Sequence, residues 1–293
     1  MGFLDLFIKR RDGGNEKEMS FLEHLEELRW HIFRSLIAIL SVAVVLFLNK
    51  SFLFDKIILA PKHPEFWTYR EMCRLGDFLH MPGFCMHDFG FTVMNIDLSA
   101  QFMIHLKTSF TLGLVAAFPY VLWEFWRFIS PALLEKEKSA ASGIVLAGSL
   151  LFYTGVLFGY YLIVPFTVVF LGTYQVSAEV TNQINLSSYI ETVTGLGFAC
   201  GLMFEFPLVI YFLATVGLAT HEFLSRYRKV AIVIILLLAA VITPSPDMFS
   251  QTIVALPLYG LFEMGIVISK RVSRRREKRK KLEEEKIMEE SEV

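Results

Sequence analysis

Residues 139–178 contain no Asp, Glu, Lys or Arg. About twenty apolar residues already suffice to cross a bilayer as a helix, so this block dominates what the chain can fold into. Forty residues exceed one span, and the block reads as a helix from about Ala140 to Pro165 followed by an uncharged loop. Five more apolar blocks lie at about 32–48, 102–123, 192–216, 230–242 and 248–269. Only 19% of the chain is charged, against about a quarter in a soluble domain. The pattern predicts an all-α integral membrane protein with six transmembrane helices.

Three regions follow. Residues 1–31 form a polar tail, in which Ser20-Phe21-Leu22-Glu23 reads as a capping box that starts an amphipathic helix at Ser20. Residues 32–269 form the transmembrane domain, with a long outer loop at 49–97, and 270–293 form a charged tail. The first apolar block follows a charged leader and lacks a small-residue cleavage site, so no cleavable signal peptide is expected.

Charge bias sets the expected orientation. The tails, the connections at 124–138 and 217–229, and Arg34 hold 22 of the 28 Lys and Arg residues. The connections at 170–191 and 243–247 hold none. Basic loops stay cytoplasmic, which puts both termini inside. The fifth block has about thirteen residues. It reaches only about 20 Å, against a hydrocarbon core of roughly 30 Å. The Thr243-Pro244-Ser245-Pro246-Asp247 turn that ends it cannot continue a helix. Pro119, Pro207 and Pro257 should each bend a span. Gly155/Gly159 and Gly197/Gly201 should let helices approach closely.

Several polar residues stand out. From Ser20 the helix carries Leu22, Leu25, Leu28 and Ile32 on one face, with His24, Glu27 and His31 on an adjoining stripe and Arg29 elsewhere on the turn. That stripe suits a solvated interfacial helix as well as a binding face. The 124–138 connection sets Glu124, Glu135 and Glu137 among four bulky aromatics. Carboxylates on a basic face suit an arginine-bearing peptide, because guanidinium and carboxylate pair in a fixed two-point geometry. A solvated loop with local Glu–Lys pairs is the plainer alternative. Glu205 lies in mid-span, where an ionisable group is costly and marks a functional candidate. Glu263 lies in the last span, and Asp247 and Gln251 are polar groups at its far end.

Cys73, His80, Cys85 and His87 cluster in the outer loop, with no common zinc spacing. In an oxidising compartment a Cys73–Cys85 disulfide and two free thiols are both open. Cys200, within a span, reads as a small packing residue. No metal or cofactor is expected. The chain has no H-E-x-x-H, phosphate-binding loop or G-x-S-x-G, so no enzyme is expected either.

The ordered motifs resemble one family. His24-Leu25-Glu26-Glu27-Leu28-Arg29 is similar to the opening signature of the TatC family of twin-arginine translocase proteins. The resemblance continues through Phe118-Pro119, through Trp126, Phe128, Pro131-Ala132-Leu133 and Glu137, and through Phe204-Glu205 and Pro207. It closes with Thr243-Pro244, Asp247, Phe249-Ser250-Gln251 and Pro257-Leu258-Tyr259, then Leu261-Phe262-Glu263. It implies a glove-shaped, six-helix protein of the bacterial inner membrane, with a short hairpin of the fifth and sixth helices. Such a protein binds twin-arginine signal peptides and moves folded cargo with TatA- and TatB-type single-span partners, driven by the proton-motive force. The resemblance assigns Glu27 and Glu137 to reading the arginine pair, and makes Arg29, Pro61 and Phe128 sensitive positions. It places Glu205 on a concave face that engages a partner, with Asp247 and Gln251 near the outer helix ends. This chain departs from the family in its longer first outer loop and in Glu124, where Gln is common. The competing reading is an ion- or proton-coupled small-solute transporter with Glu205 and Glu263 as relay groups, although no internal repeat supports it.

Overall fold

The computed structural model describes residues 21–78, 80, 85, 91–129, 141–177, 179, 182–243 and 248–291. Ser20, His87, Glu135, Glu137 and Asp247 lie outside the described residues.

Helix α1 (Phe21–Leu48) runs unbroken from the amphipathic segment into the first apolar block. A wide-turn helix at Phe52–Ile58 and a tight turn at Ala60–Lys62 follow. Then come α2 (Trp67–Phe78), strand β1 (Thr92–Met94) and α3 (Ala100–Ile129). The expected connection at 124–138 begins later than its charges suggest, since 124–129 complete the last turns of α3. The next proline after this segment is Pro131, so nothing in 124–129 itself forbids helix. Helix α1 packs along α3, and Gly113 makes the approach possible: a Cβ there would stand 2.9 Å from Ala43 Cβ.

The third apolar block differs from the expectation of a helix ending near Pro165. Helix α4 (Ala141–Phe158) passes through a wide π turn at Gly159–Ile163 into α5 (Val164–Thr173). Pro165 offers no N–H to the carbonyl four residues earlier, which belongs to Tyr161. Thr68 of α2 donates its hydroxyl to that carbonyl instead. The freed backbone is thereby satisfied from outside the helix, as a membrane segment requires.

Strand β2 (Gln183–Asn185) pairs in parallel with β1, and these are the only strands among the described residues. Helices α6 (Leu186–Phe204) and α7 (Phe206–Val216) form one span interrupted at Glu205. Gly217 closes α7 with φ 94°, a left-handed conformation open to glycine. The short α8 (His221–Arg226) leads to α9 (Arg228–Ile242) and then to α10 (Met248–Ser291). The charged tail is thus largely a continuation of α10, a 44-residue helix about 66 Å long.

Among the described residues, five helical stretches are long and apolar enough to cross a membrane: Leu25–Leu48, Ala100–Ile129, Gly143–Thr173, Leu186–Val216 and Gln251–Arg274. Helix α9, the short fifth block of the sequence, has 15 residues and reaches only about 22 Å. The core centres on α6, whose Tyr189, Ile190, Val193, Leu196 and Cys200 are buried against the other spans. Gly155, Gly159 and Gly201 lie at tight helix contacts: a Cβ on Gly155 would meet the Cys200 carbonyl at 2.6 Å. Gly197 differs, since a Cβ there would meet nothing within 4 Å.

Candidate functional site

Two polar centres interrupt the apolar body. The first lies where α1 meets the end of α3. Glu124 is 1% exposed, yet both of its oxygens are engaged. His31 Nδ1 lies 2.5 Å from Oε2, and the Tyr120 hydroxyl donates to Oε1 at 2.8 Å. Arg127 stands 3.8 Å from the same Oε1 and lies over the Trp123 ring, 4.9 Å from its centroid. A carboxylate removed from water requires partners of this kind. Phe128 meets the His31 ring edge-on, with centroids 6.1 Å apart.

This cluster joins two segments that the sequence singled out separately. Glu27 is four residues before His31 and so lies on the same helix face, one turn away. It is half-buried, and Arg29 is exposed. Neither has a hydrogen-bond or ion-pair partner among the described residues. The acid engaged within the fold is therefore Glu124, and Glu27 makes no such pair among the described residues. Sequence reasoning noticed His31 and Glu124 but did not pair them, because no local signal links residues 93 positions apart.

The second centre is Glu205. The chain breaks helix there because Pro207 lacks the N–H that would bond Met203. Backbone bonds bridge the break, since the Glu205 N–H bonds back to the Leu202 carbonyl and the Leu208 N–H donates to the Glu205 carbonyl. Glu205 is 8% exposed, and neither carboxylate oxygen has a partner among the described residues. Its Oε2 faces Gly148 of α4, where a Cβ would stand 3.3 Å away. Buried polar atoms without partners are rare and call for an explanation.

The remaining predicted residues fall elsewhere. Glu263 accepts from Arg228 at 3.1 Å and from Tyr259 at 3.0 Å, which ties α10 to the start of α9. Gln251 donates to the Leu236 carbonyl at 3.0 Å, holding the other end of that hairpin. Pro61 is buried, and its carbonyl accepts from the Tyr69 hydroxyl at 2.9 Å. Burial pushes the Tyr69 hydroxyl above the ordinary tyrosine range, keeping it protonated as a donor. Tyr160 and Tyr189 similarly donate to the carbonyls of Ile57 and Ile58. Cys73 and Cys85 are joined, with Cα atoms 4.3 Å apart. Asp77 lies beside them, but sulfurs bonded to each other are not thiolate ligands, so the trio does not fit a metal ion in this state.

A bundle of apolar spans, with a buried His–Glu contact at one helix end and, among the described residues, an unpartnered carboxylate inside, defines a polytopic membrane protein. Comparison with known proteins gives the class a family. The family model described as "Sec-independent protein translocase protein (TatC)" matches residues 23–257. The TatC of Blattabacterium sp. subsp. Periplaneta americana is 39% identical over 265 residues, which cover 89% of this chain and 99% of that one. The TatC of Aquifex aeolicus is 32% identical over 261 residues, covering 88% and 98%. A crystal structure of the twin arginine translocase receptor TatC superposes with a TM-score of 0.64 at 32% identity, covering 86% of this chain and all of that one. The chain belongs to the TatC family. It is a component of the Sec-independent protein translocase, a transport protein and not an enzyme.

Proposed function

We propose that this chain is the translocase subunit that reads twin-arginine signal peptides, at the face where α1 meets the end of α3. The observation that carries this reading is the His31–Glu124 contact, which sets Phe128 beside the α1 face that holds Glu27. A guanidinium needs an open carboxylate, and Glu27 is one. Glu137 is the second carboxylate of the reading, with Arg29 and Phe128 as flanking contacts. Six spans, with α9 as the short fifth, place both termini in the cytoplasm of a bacterium and the chain in its inner membrane. The excess of Lys and Arg on that side supports the orientation.

TatA- and TatB-type single-span proteins are the partners, and the proton-motive force drives transport of folded cargo. Glu205 bonds a polar group on a partner helix, which accounts for a buried carboxylate with no partner among the described residues. Asp247 and Gln251 contribute polar groups near the outer ends of the last two helices, while Pro61 and Glu263 brace the fold around them. A solute relay is disfavoured by the family match and by Glu263, whose carboxylate is already paired with Arg228.

Site-specific crosslinking of a twin-arginine peptide to residues 20–31 and 124–138 tests the reading. Crosslinks at both segments are expected, and they should disappear in a Glu27→Gln, Glu137→Gln double variant. Unchanged crosslinking in that variant would overturn the carboxylate pair.

A further inference from the structure

Helix α2 belongs to the loop between the first two long spans, yet it starts at the membrane boundary. The level of that boundary follows from α3. Its exposed cations Lys107 and Arg127 stand about 30 Å apart along the helix, which matches a hydrocarbon core of roughly 30 Å. Lys107 pairs with Glu191 of α6 at 2.7 Å, so two spans leave the core at one level. Helix α4 runs antiparallel to α3: a Cβ on its Gly148 would meet Leu122, and its Tyr153 hydroxyl donates to the Ala116 carbonyl. The same register sets Lys107 level with the turn just after Tyr161. Tyr160 and Tyr161 therefore mark the boundary, where tyrosine and tryptophan collect.

Helix α2 is tied to that turn by its first residues. Thr68 donates to the Tyr161 carbonyl, and Trp67 meets the Tyr161 ring edge-on, with centroids 5.7 Å apart. Beyond this tie the helix runs on to Phe78, a length of about 16 Å. At about 100° per residue its side chains fall into three sectors. Thr68, Tyr69 and Gly76 are buried and face the protein. Trp67, Leu75 and Phe78 are exposed and share an arc of about 80°. Arg70, Arg74 and Asp77, also exposed, lie on the flank beyond Trp67. Glu71 falls within the apolar arc, where Arg74 neutralises it at 2.6 Å. The Cys73–Cys85 link joins the helix on the far side, about 160° around from Leu75, and leaves the apolar arc clear.

We propose that α2 is an interfacial anchor, lying along the bilayer surface at the Lys107 end of the spans with Trp67, Leu75 and Phe78 seated at the acyl boundary. A helix with one protein face, one apolar arc and one charged flank fits a surface that is apolar on one side and wet on the other. Tyr161, which Trp67 touches, is itself an exposed residue of a membrane span. The apolar arc thus continues a wall that already faces lipid, which selects the bilayer as the occupant over a partner protein. The helix carries two cations, Arg70 and Arg74, and two acids, Glu71 and Asp77, so anchoring should be indifferent to headgroup charge.

The test uses the full chain in phosphatidylcholine nanodiscs, without partners. Cys200→Ala removes the free thiol, the Cys73–Cys85 bond is kept, and one nitroxide is attached through Leu75→Cys, Phe78→Cys, Arg70→Cys or Asp77→Cys in turn. Power saturation reports collision with oxygen, which concentrates in lipid, and with a nickel chelate, which stays in water. Labels at 75 and 78 should meet oxygen more than nickel, and labels at 70 and 77 should show the inverse. Adding phosphatidylglycerol should leave both results unchanged. Leu75→Asp should shift the label at 78 towards nickel. Thermal unfolding checks each labelled chain, and where one of the 75 and 78 pair does not fold, the other carries the readout. Nickel contact at 75 and 78 would place α2 in water and overturn the proposal. Low contact with both reagents there would mean a protein cover, and overturns it equally. The crosslinking that tests peptide reading concerns the α1–α3 face, so either proposal can fail without the other.

Discussion

His31 Nδ1 lies 2.5 Å from Glu124 Oε2, across the contact between α1 and α3. The contact fixes the end of α3 on the face of α1 that carries Glu27. It also removes Glu124 from the set of acids free to meet a ligand.

His31→Ala leaves Glu124 buried with fewer partners. Breaking one side of a buried pair costs on the order of 3 kcal/mol. The expected outcome is a lowered unfolding temperature in detergent for His31→Ala, and a smaller loss for Glu124→Gln, which keeps a hydrogen-bonding side chain. A double-mutant cycle should return a coupling well above 0.5 kcal/mol. Additive losses would show that the contact does not clamp the helices.

Glu27→Gln removes an open carboxylate and little packing. Peptide affinity should fall about 10- to 100-fold, as expected for one charge-assisted hydrogen bond. The unfolding temperature should stay within the error of the parent. Equal peptide affinity, measured by fluorescence anisotropy, would place the arginine contact elsewhere.

Glu205 makes the opposite trade between stability and function. A buried carboxylate without a partner disfavours the isolated chain, so Glu205→Leu should leave it as stable or more stable by about 1 kcal/mol. Transport of a folded reporter should nevertheless drop. A variant that is destabilised yet fully active would assign the residue to packing alone.

Glycine contacts give a paired control. In Gly155→Ala the new methyl would meet the Cys200 carbonyl at 2.6 Å and Phe204 Cβ at 2.8 Å. A loss of about 1–3 kcal/mol is expected from such overpacking. In Gly195→Ala the methyl meets nothing within 4 Å, and a gain of about 0.5 kcal/mol from helix propensity is expected. Thermal unfolding of both variants checks the contrast.

The Cys73–Cys85 link closes a short loop, with a sequence separation of 12. Cross-linking of that kind stabilises by about 3 kcal/mol. Cys73→Ser should make the segment around α2 sensitive to protease while the spans remain protected. Peptide mapping without reductant checks the bond directly, and free thiols at both positions would remove the basis for this prediction.

Much of the membrane body was legible from composition. Long apolar blocks can satisfy their backbone only as helices in lipid, so 32–48, 102–123 and 192–216 are placed by hydropathy alone. The shortness of α9 was legible for the same reason. The continuation past Pro165 was not, because the donor that rescues the Tyr161 carbonyl is Thr68, in helix α2, 93 residues earlier. The helical state of 124–129 was obscured by charge, which marks solubility and not the end of a helix.

The candidate site divides in the same way. Residue type and depth in the span were enough to single out Glu205, since an ionisable group is costly there wherever its neighbours lie. Its lack of partners became visible only when α4 and α7 were in place around it. Glu27 and Glu124 look alike in sequence, two acids on a basic face. The sequence by itself determined an apolar helical body, its short fifth apolar block and the acids that interrupt it, because hydrophobic periodicity and charge are local properties. Only the tertiary structure decided that Glu124 is closed by His31, Tyr120 and Arg127 while Glu27 makes no such pair among the described residues, because pairing depends on which helix faces meet.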